Sequence, residues 1–127
     1  MTPGELRYTS SHEWVRDESD GTVTVGITQY AQDALGDIVF VALPRVGTVV
    51  AEGGSCGEIE STKSVSEIYA PLSGEIVAVN GELETRPEVI NAAPYSEGWL
   101  MKMRLADDSQ LGQLLTAGDY EALISSS

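Results

Sequence analysis

Residues 56–70 narrow the folds open to this chain more than any other stretch. Cys56-Gly57-Glu58-Ile59-Glu60 reads as a short strand, and Val65-Ser66-Glu67-Ile68-Tyr69-Ala70 reads as a second one, closed by Pro71. Between them lies a small, hydroxylated turn, Ser61-Thr62-Lys63-Ser64. Strand, polar turn, strand is the pattern of a β-hairpin, and it sets Lys63 at the tip. The chain contains one other lysine, Lys102. A chain that uses lysine so sparingly yet sets one on a hairpin tip suggests a point of attachment. On these residues alone, an ordinary solvated lysine is the plainer reading.

The remaining segments are also short and well punctuated. His12-Glu13-Trp14-Val15 falls in a first strand, and Asp17-Glu18-Ser19-Asp20-Gly21 is a turn by composition. Thr22 to Ile27 alternates like a half-buried strand. Thr28 is a cap for a short helix through Leu35, ended by Gly36. Asp37 to Leu43 reads as strand up to Pro44, Val46 to Val50 as a brief extended piece, and Glu52-Gly53-Gly54 as a turn. Glu75 to Val79 and Trp99 to Leu105 read as further strands. Asn80 to Asn91 reads as a loop with one helical turn. Asp107 or Asp108 would cap a helix over Ser109–Leu115, and Asp119 would start a last one over Tyr120–Ile124.

A short echo runs through this order. Gly36-Asp37-Ile38-Val39-Phe40-Val41 and Gly74-Glu75-Ile76-Val77-Ala78-Val79 share Gly-acid-Ile-Val-x-Val at an offset of 38 residues. The Lys63 hairpin lies between the two copies. Two such units, neither able to close a core alone, would pack as a small flattened barrel of two sheets.

Composition bounds the function. With 127 residues and 42% hydrophobic content, one domain with a real core is expected. The net charge of −13 argues against nucleic acid or an anionic membrane as partner; it suits partners with basic docking faces, and equally a surface whose acid simply keeps the chain soluble. The single cysteine, Cys56, excludes an internal disulfide and a multi-cysteine metal site, and reads as a small core residue in a reducing compartment. The N-terminus has neither a signal-peptide apolar run nor an import-type pattern, and no stretch reaches the length of a membrane span. The expected location is the cytoplasm of a bacterium; a mature organellar form without its import segment would read the same. His12, the sole histidine, is expected to pack beside Trp14, and Trp14, Trp99, Tyr95 and Phe40 are read as packing residues.

Several blocks, in one order, carry a resemblance: Ser11-His12-Glu13-Trp14-Val15, Val25 to Gln32, Leu35 to Val41, Glu60-Ser61-Thr62-Lys63-Ser64-Val65-Ser66-Glu67, Ala70 to Glu75, Val79-Asn80, Val89-Ile90-Asn91 and Pro94 to Leu100. Together they resemble the H protein of the glycine cleavage system, a lipoyl carrier. Thr62 departs from that pattern, where the family commonly has valine; Cys56 stands where a small residue is expected. The resemblance implies a mostly β, lipoyl-domain-like flattened barrel of two antiparallel sheets (a barrel-sandwich hybrid) with short helices. One domain over 1–127 would comprise a barrel over about 8–106 and C-terminal helices over about 107–124.

It also implies lipoic acid covalently bound to Lys63, and a non-catalytic carrier. Three enzymes would meet the arm: glycine decarboxylase, which uses pyridoxal phosphate, the folate-dependent aminomethyltransferase, and dihydrolipoamide dehydrogenase, which reoxidises the dithiol. Lipoylating enzymes would read Glu60. Ser11, Glu13 and Glu67 would surround a resting place for the loaded arm, where a carboxylate partners an ammonium. No metal ligands and no catalytic residues are implied.

Three other readings compete. Lipoylated H-like proteins can donate lipoyl groups to other complexes, and a non-lipoylated interaction module would keep the same fold. Met101-Lys102-Met103 matches the triplet of biotin attachment domains, which would put biotin on Lys102. That triplet lies in an alternating strand rather than a polar turn, and no second strand unit follows it.

Overall fold

The computed structural model describes residue 4 and residues 6–125. Strands β1 (Arg7–Tyr8), β2 (Glu13–Asp17) and β3 (Thr22–Ile27) come first, then helix α1 (Gln29–Leu35). β4 (Ile38–Ala42), β5 (Val49–Val50), β6 (Ser55–Ser61), β7 (Val65–Tyr69) and β8 (Gly74–Val79) come next. A 3-10 turn (Gly81–Glu84) and helix α2 (Val89–Ala92) lead to β9 (Met101–Leu105). The described chain ends in a second 3-10 segment (Asp108–Gln113) and helix α3 (Ala117–Ser125).

All pairing among the described strands is antiparallel. One sheet has the order β1-β2-β3-β9-β8-β5 and the other β4-β6-β7. Both feed one core, with Val15, Val23, Val25, Ile76, Met101 and Met103 from the first meeting Ile38, Val41, Ile59 and Ile68 from the second. The two ladders stay separate, so the flattened barrel is open rather than closed. A second apolar cluster joins Leu6, Tyr8, Trp14 and Tyr120 under α3.

Local chemistry explains several boundaries. The Thr28 hydroxyl accepts from the Ala31 N–H at 3.2 Å and starts α1. Gly36, at φ 82°, ends it, donating its N–H to Gln32 O at 2.9 Å. Gly26 faces the Trp14 indole across the β2–β3 ladder, where a Cβ would come within 2.5 Å of the ring. Only glycine lets that tryptophan lie flat on β3.

The C-terminal segment departs from expectation. Asp107 does cap, its carboxylate accepting from the Ser109 N–H at 3.0 Å, but the segment it starts is 3-10 rather than α-helical. The last helix begins at Ala117, before Asp119, because Thr116 and Asp119 cap reciprocally: Asp119 N–H donates to Thr116 Oγ1 and Thr116 N–H to Asp119 Oδ2. Asn80 to Asn91 holds two helical pieces instead of one turn, the first capped by the Asn80 side chain.

The echo places β4 and β8 in different sheets. Ile38 and Ile76 are both buried core residues. Each copy also carries an irregularity at the same position, between Ile38 and Phe40 in β4 and between Ile76 and Ala78 in β8. The likeness therefore extends from the residue pattern to a shared β-bulge.

Candidate functional site

Lys63 stands on the turn that joins β6 to β7, and its side chain is exposed. Ser61 builds that turn. Its backbone N–H donates to Ser64 O at 2.8 Å, while its buried hydroxyl accepts from the N–H groups of Lys63 at 3.2 Å and Ser64 at 3.1 Å. A second tie comes from Thr62 N–H to Asp37 O at 3.1 Å. Gly36 passes beneath the lysine stem: a Cβ there would sit 3.4 Å from Lys63 Cε. Asn91 holds this support together. It accepts from Ile38 N–H at 2.9 Å and donates to Gly36 O at 2.9 Å and Gln32 Oε1 at 2.7 Å. The result is an exposed primary amine on a backbone fixed from two sides, with no carboxylate paired to it among the described ion pairs.

The strand register maps the surface beyond the turn. Phe40, Glu60 and Val65 form one cross-strand row, and Ala42, Glu58 and Glu67 form another two residues further on. The intervening row, Val41-Ile59-Ser66, turns toward the core. Residues in one row point to one face. Glu60 thus lies exposed in the middle of the outer face, and Tyr69 ends the same face at the far end of β7. From Val65, just past the turn, to Tyr69 is four steps of extended strand, about 13 Å.

Tyr69 also lines a cavity of about 310 Å³. Thr9, Ser11 and Glu13 lie on its wall, with Tyr8, Ala70, Pro71, Leu114 and Leu115 supplying apolar and aromatic surface. Glu13 is 3% exposed. Its carboxylate accepts from the Thr9 hydroxyl at 2.6 Å, and Thr9 Oγ1 in turn accepts from the Glu13 N–H at 3.1 Å. Burial raises its pKa above the usual carboxylate value, against the Thr9 hydroxyl and the Tyr69 backbone N–H, which lower it. A positive charge entering this cavity would find a carboxylate already stripped of water and held in place.

Of the residues expected to surround a resting place, the fold brings Ser11 and Glu13 together on one wall. Glu67 is not part of the lining. It lies exposed on the outer face and accepts from the Tyr69 hydroxyl at 3.2 Å and from Ser55 Oγ at 3.1 Å. Thr9 and Tyr69 belong to the site and were missed: a threonine four residues before a glutamate and a tyrosine at a strand end carry no distinct sequence signal.

His12 does not pack on Trp14. Residues two apart share a face only within a strand, and His12 lies before β2 with φ 70°, outside strand geometry, so its ring turns away from that face. Its Nδ1 lies 2.7 Å from the Tyr120 hydroxyl, and its ring packs on Tyr30. Burial lowers its pKa. The Tyr120 hydroxyl also bonds Thr28 Oγ1 at 2.7 Å, and burial pushes its pKa up to about 12. Tyr120 stacks on Tyr8, whose other surroundings include the cavity. Helix α3 therefore braces one cavity wall.

Phe40 is also misplaced by the sequence reading: it is 55% exposed rather than packed, because the bulge turns it outward. Cys56 is half-buried, donates its thiol to Ile68 O at 3.4 Å, and has a pKa pushed up to about 11 by burial. Lys102 lies within β9 over the Trp99 ring, flanked by Met101 and Met103 in the core, so the Met-Lys-Met triplet is strand alternation. Among the described residues there is no cluster able to hold a metal ion, and no helix is long and apolar enough to cross a membrane.

Comparison with known proteins agrees with this architecture. The family model for the glycine cleavage H-protein matches residues 6–127. A glycine cleavage system H protein from Pectobacterium carotovorum is 57% identical over 120 residues, covering 94% of this chain and 92% of that one. One from Escherichia coli O9:H4 is 55% identical over 122 residues, covering 96% and 95%. The crystal structure of a glycine cleavage system H protein from Mycobacterium marinum superposes with a TM-score of 0.88 at 46% identity, covering 97% of this chain and 98% of that one. The chain belongs to the glycine cleavage H-protein family, the lipoyl-carrying, non-catalytic subunits of the glycine cleavage system.

Proposed function

We propose that lipoic acid is joined through an amide to Lys63. On that group the chain would take the aminomethyl unit of glycine from glycine decarboxylase to the folate-dependent aminomethyltransferase, with dihydrolipoamide dehydrogenase reoxidising it. The observation that carries this reading is an exposed lysine, without an ion pair among the described residues, on a doubly anchored turn. When bound, the group supplies a redox-active pair of sulfurs on a flexible arm, while the protein supplies position and shelter.

The chain's own residues fit that division. Ser61 and Asn91 fix the root of the arm. The outer face of β7 leads from Lys63 past Val65 and Glu67 to Tyr69 at the cavity. Glu13 and Ser11 offer a carboxylate and a hydroxyl to a protonated amine, and Leu114, Leu115, Ala70 and Pro71 exclude water around it. The bacterial relatives and the acidic chain support a cytoplasmic carrier.

The test is intact mass and peptide mapping of protein from lipoate-replete cells, with reconstitution alongside. One lipoyl group on Lys63 is expected. Glycine-dependent transfer of one carbon to tetrahydrofolate should then require that group. Modification at Lys102, or an unmodified chain that still supports transfer, would sink the proposal.

A further inference from the structure

The two copies of the echo differ at the position marked x, which is Phe40 in β4 and Ala78 in β8. The bulge is common to both, so the fold itself accounts for it. Protection of an edge strand explains a bulge on β4 as well. Neither accounts for a phenylalanine. Alanine serves in the other copy, half-buried, whereas Phe40 is 55% exposed beside Val39 at 49%. Across the sheet, in the same row, Val65 is 58% exposed. Three large apolar side chains thus face water next to Lys63, on strands where an edge would ordinarily carry charge.

Apart from Lys63 itself, the charge around them is acidic. Glu58, Glu60 and Glu67 are exposed on this face, and β4, β6 and β7 contain no basic residue. A complementary surface would be an apolar pocket with a basic rim. Reach then selects among possible partners. An enzyme that acylates Nζ must bring its own reacting atoms to bonding distance of Lys63, so it presses on whatever borders the turn. An enzyme that works at the far end of a long arm need not touch that border.

We infer that Val39, Phe40 and Val65, ringed by Glu58, Glu60 and Glu67, form the docking patch for the enzyme that attaches the lipoyl group to Lys63. This rests on the proposal that Lys63 is the attachment point. In the step served, the neutral Nζ attacks the carbonyl carbon of a lipoyl nucleotide anhydride. The C–N bond forms, the nucleotide phosphate leaves with the electron pair of the broken C–O bond, and Nζ gives its surplus proton to solvent.

The test uses the full chain in unlipoylated form with lipoate ligase, lipoate and ATP, following intact mass over time at several protein concentrations. Phe40→Ala copies the residue found in the sister strand, and Val39→Thr keeps a strand-forming side chain as a second, independent variant away from the β7 track. Each is expected to lower kcat/KM for attachment about tenfold, the loss typical of a central interface residue, chiefly through KM. Once lipoylated to completion, each variant should saturate glycine decarboxylase at the wild-type concentration. Equal attachment rates for variants and wild type would overturn the inference. So would an equal loss in both assays, which would make the patch a general docking face. A wild-type chain that the ligase leaves unmodified at Lys63 would instead count against the attachment site itself.

Discussion

The lysine turn and the Glu13 cavity are built on opposite principles. Ser61 and Ser64, three residues apart, make most of the turn, with backbone bonds that no distant residue needs to complete. The cavity is assembled across the chain: Tyr8 bonds Leu115 in both directions, and His12 and Thr28 meet Tyr120. An attachment point requires exposure and a stiff root; the hairpin's own bonds supply most of this, with Thr62 N–H to Asp37 O and the Asn91 side chain beneath Gly36 as the few distant ties. A shelter for a charge requires burial, and burial requires segments far apart in sequence. The two regions should therefore respond separately to mutation, each leaving the other's behaviour intact.

The largest expected effect tests the turn alone. Lys63→Arg keeps the positive charge but removes the acylable amine. Lipoylation should fall to nothing by intact mass, while stability stays within about 0.5 kcal/mol, as for an exposed substitution. A melting temperature several degrees lower would mean that the lysine stem over Gly36 is structural as well.

Next comes the cavity wall. Tyr120→Phe deletes a hydroxyl bonded to both Thr28 and His12 and leaves their polar groups short of a partner. A loss of about 1–3 kcal/mol is expected, seen as a drop of roughly 5–10 °C in Tm. Ligase-catalysed attachment at Lys63 should keep its wild-type rate at temperatures below the transition. A parallel fall in attachment would show that the turn depends on α3 and would break the separation of the two regions.

The same division explains what could be read from sequence. The hairpin, the Thr28–Gly36 helix and the strands around them were legible because each is signalled within a few residues by alternation, a cap or a glycine. Thr116 was overlooked as a cap because Asp119 made the more obvious start, although the two act as a reciprocal pair. The cavity was approached only through family resemblance, which names Ser11, Glu13 and also Glu67, a residue outside the lining, but says nothing of Thr9 or of Tyr69. Phe40 was read as a packing residue because the acidic net charge speaks against base stacking, and nothing in the sequence marks the bulge. One extra residue in β4 leaves both Val39 and Phe40 in water.

A smaller effect should mark the turn's keystone. Ser61→Ala removes the acceptor for the Lys63 and Ser64 N–H groups. The expected cost is about 1 kcal/mol, with attachment slowed a few-fold by a looser lysine. Combined with Tyr120→Phe, the stability losses should add within about 0.5 kcal/mol. A clear departure would reveal coupling between turn and cavity.

The subtlest change concerns sign rather than size. Burial raises the Glu13 pKa, so the folded chain holds this proton over a pH window in which the unfolded chain has lost it. Between the ordinary carboxylate value and the raised one, the native state binds more protons, and stability falls as pH rises. Below that window both states are protonated and the penalty is absent. Glu13→Gln keeps the shape and an oxygen to accept from Thr9, but cannot ionise. The variant should therefore match wild type near pH 4 and gain stability toward pH 7. The gain should be the smallest of these effects, because the bonds from Thr9 and Tyr69 oppose the desolvation cost. Thermal melts from pH 4 to 8 measure it. An equal difference at every pH would mean that packing, not charge, distinguishes the two side chains. The wild-type chain would then be giving up no stability to keep a carboxylate in its cavity.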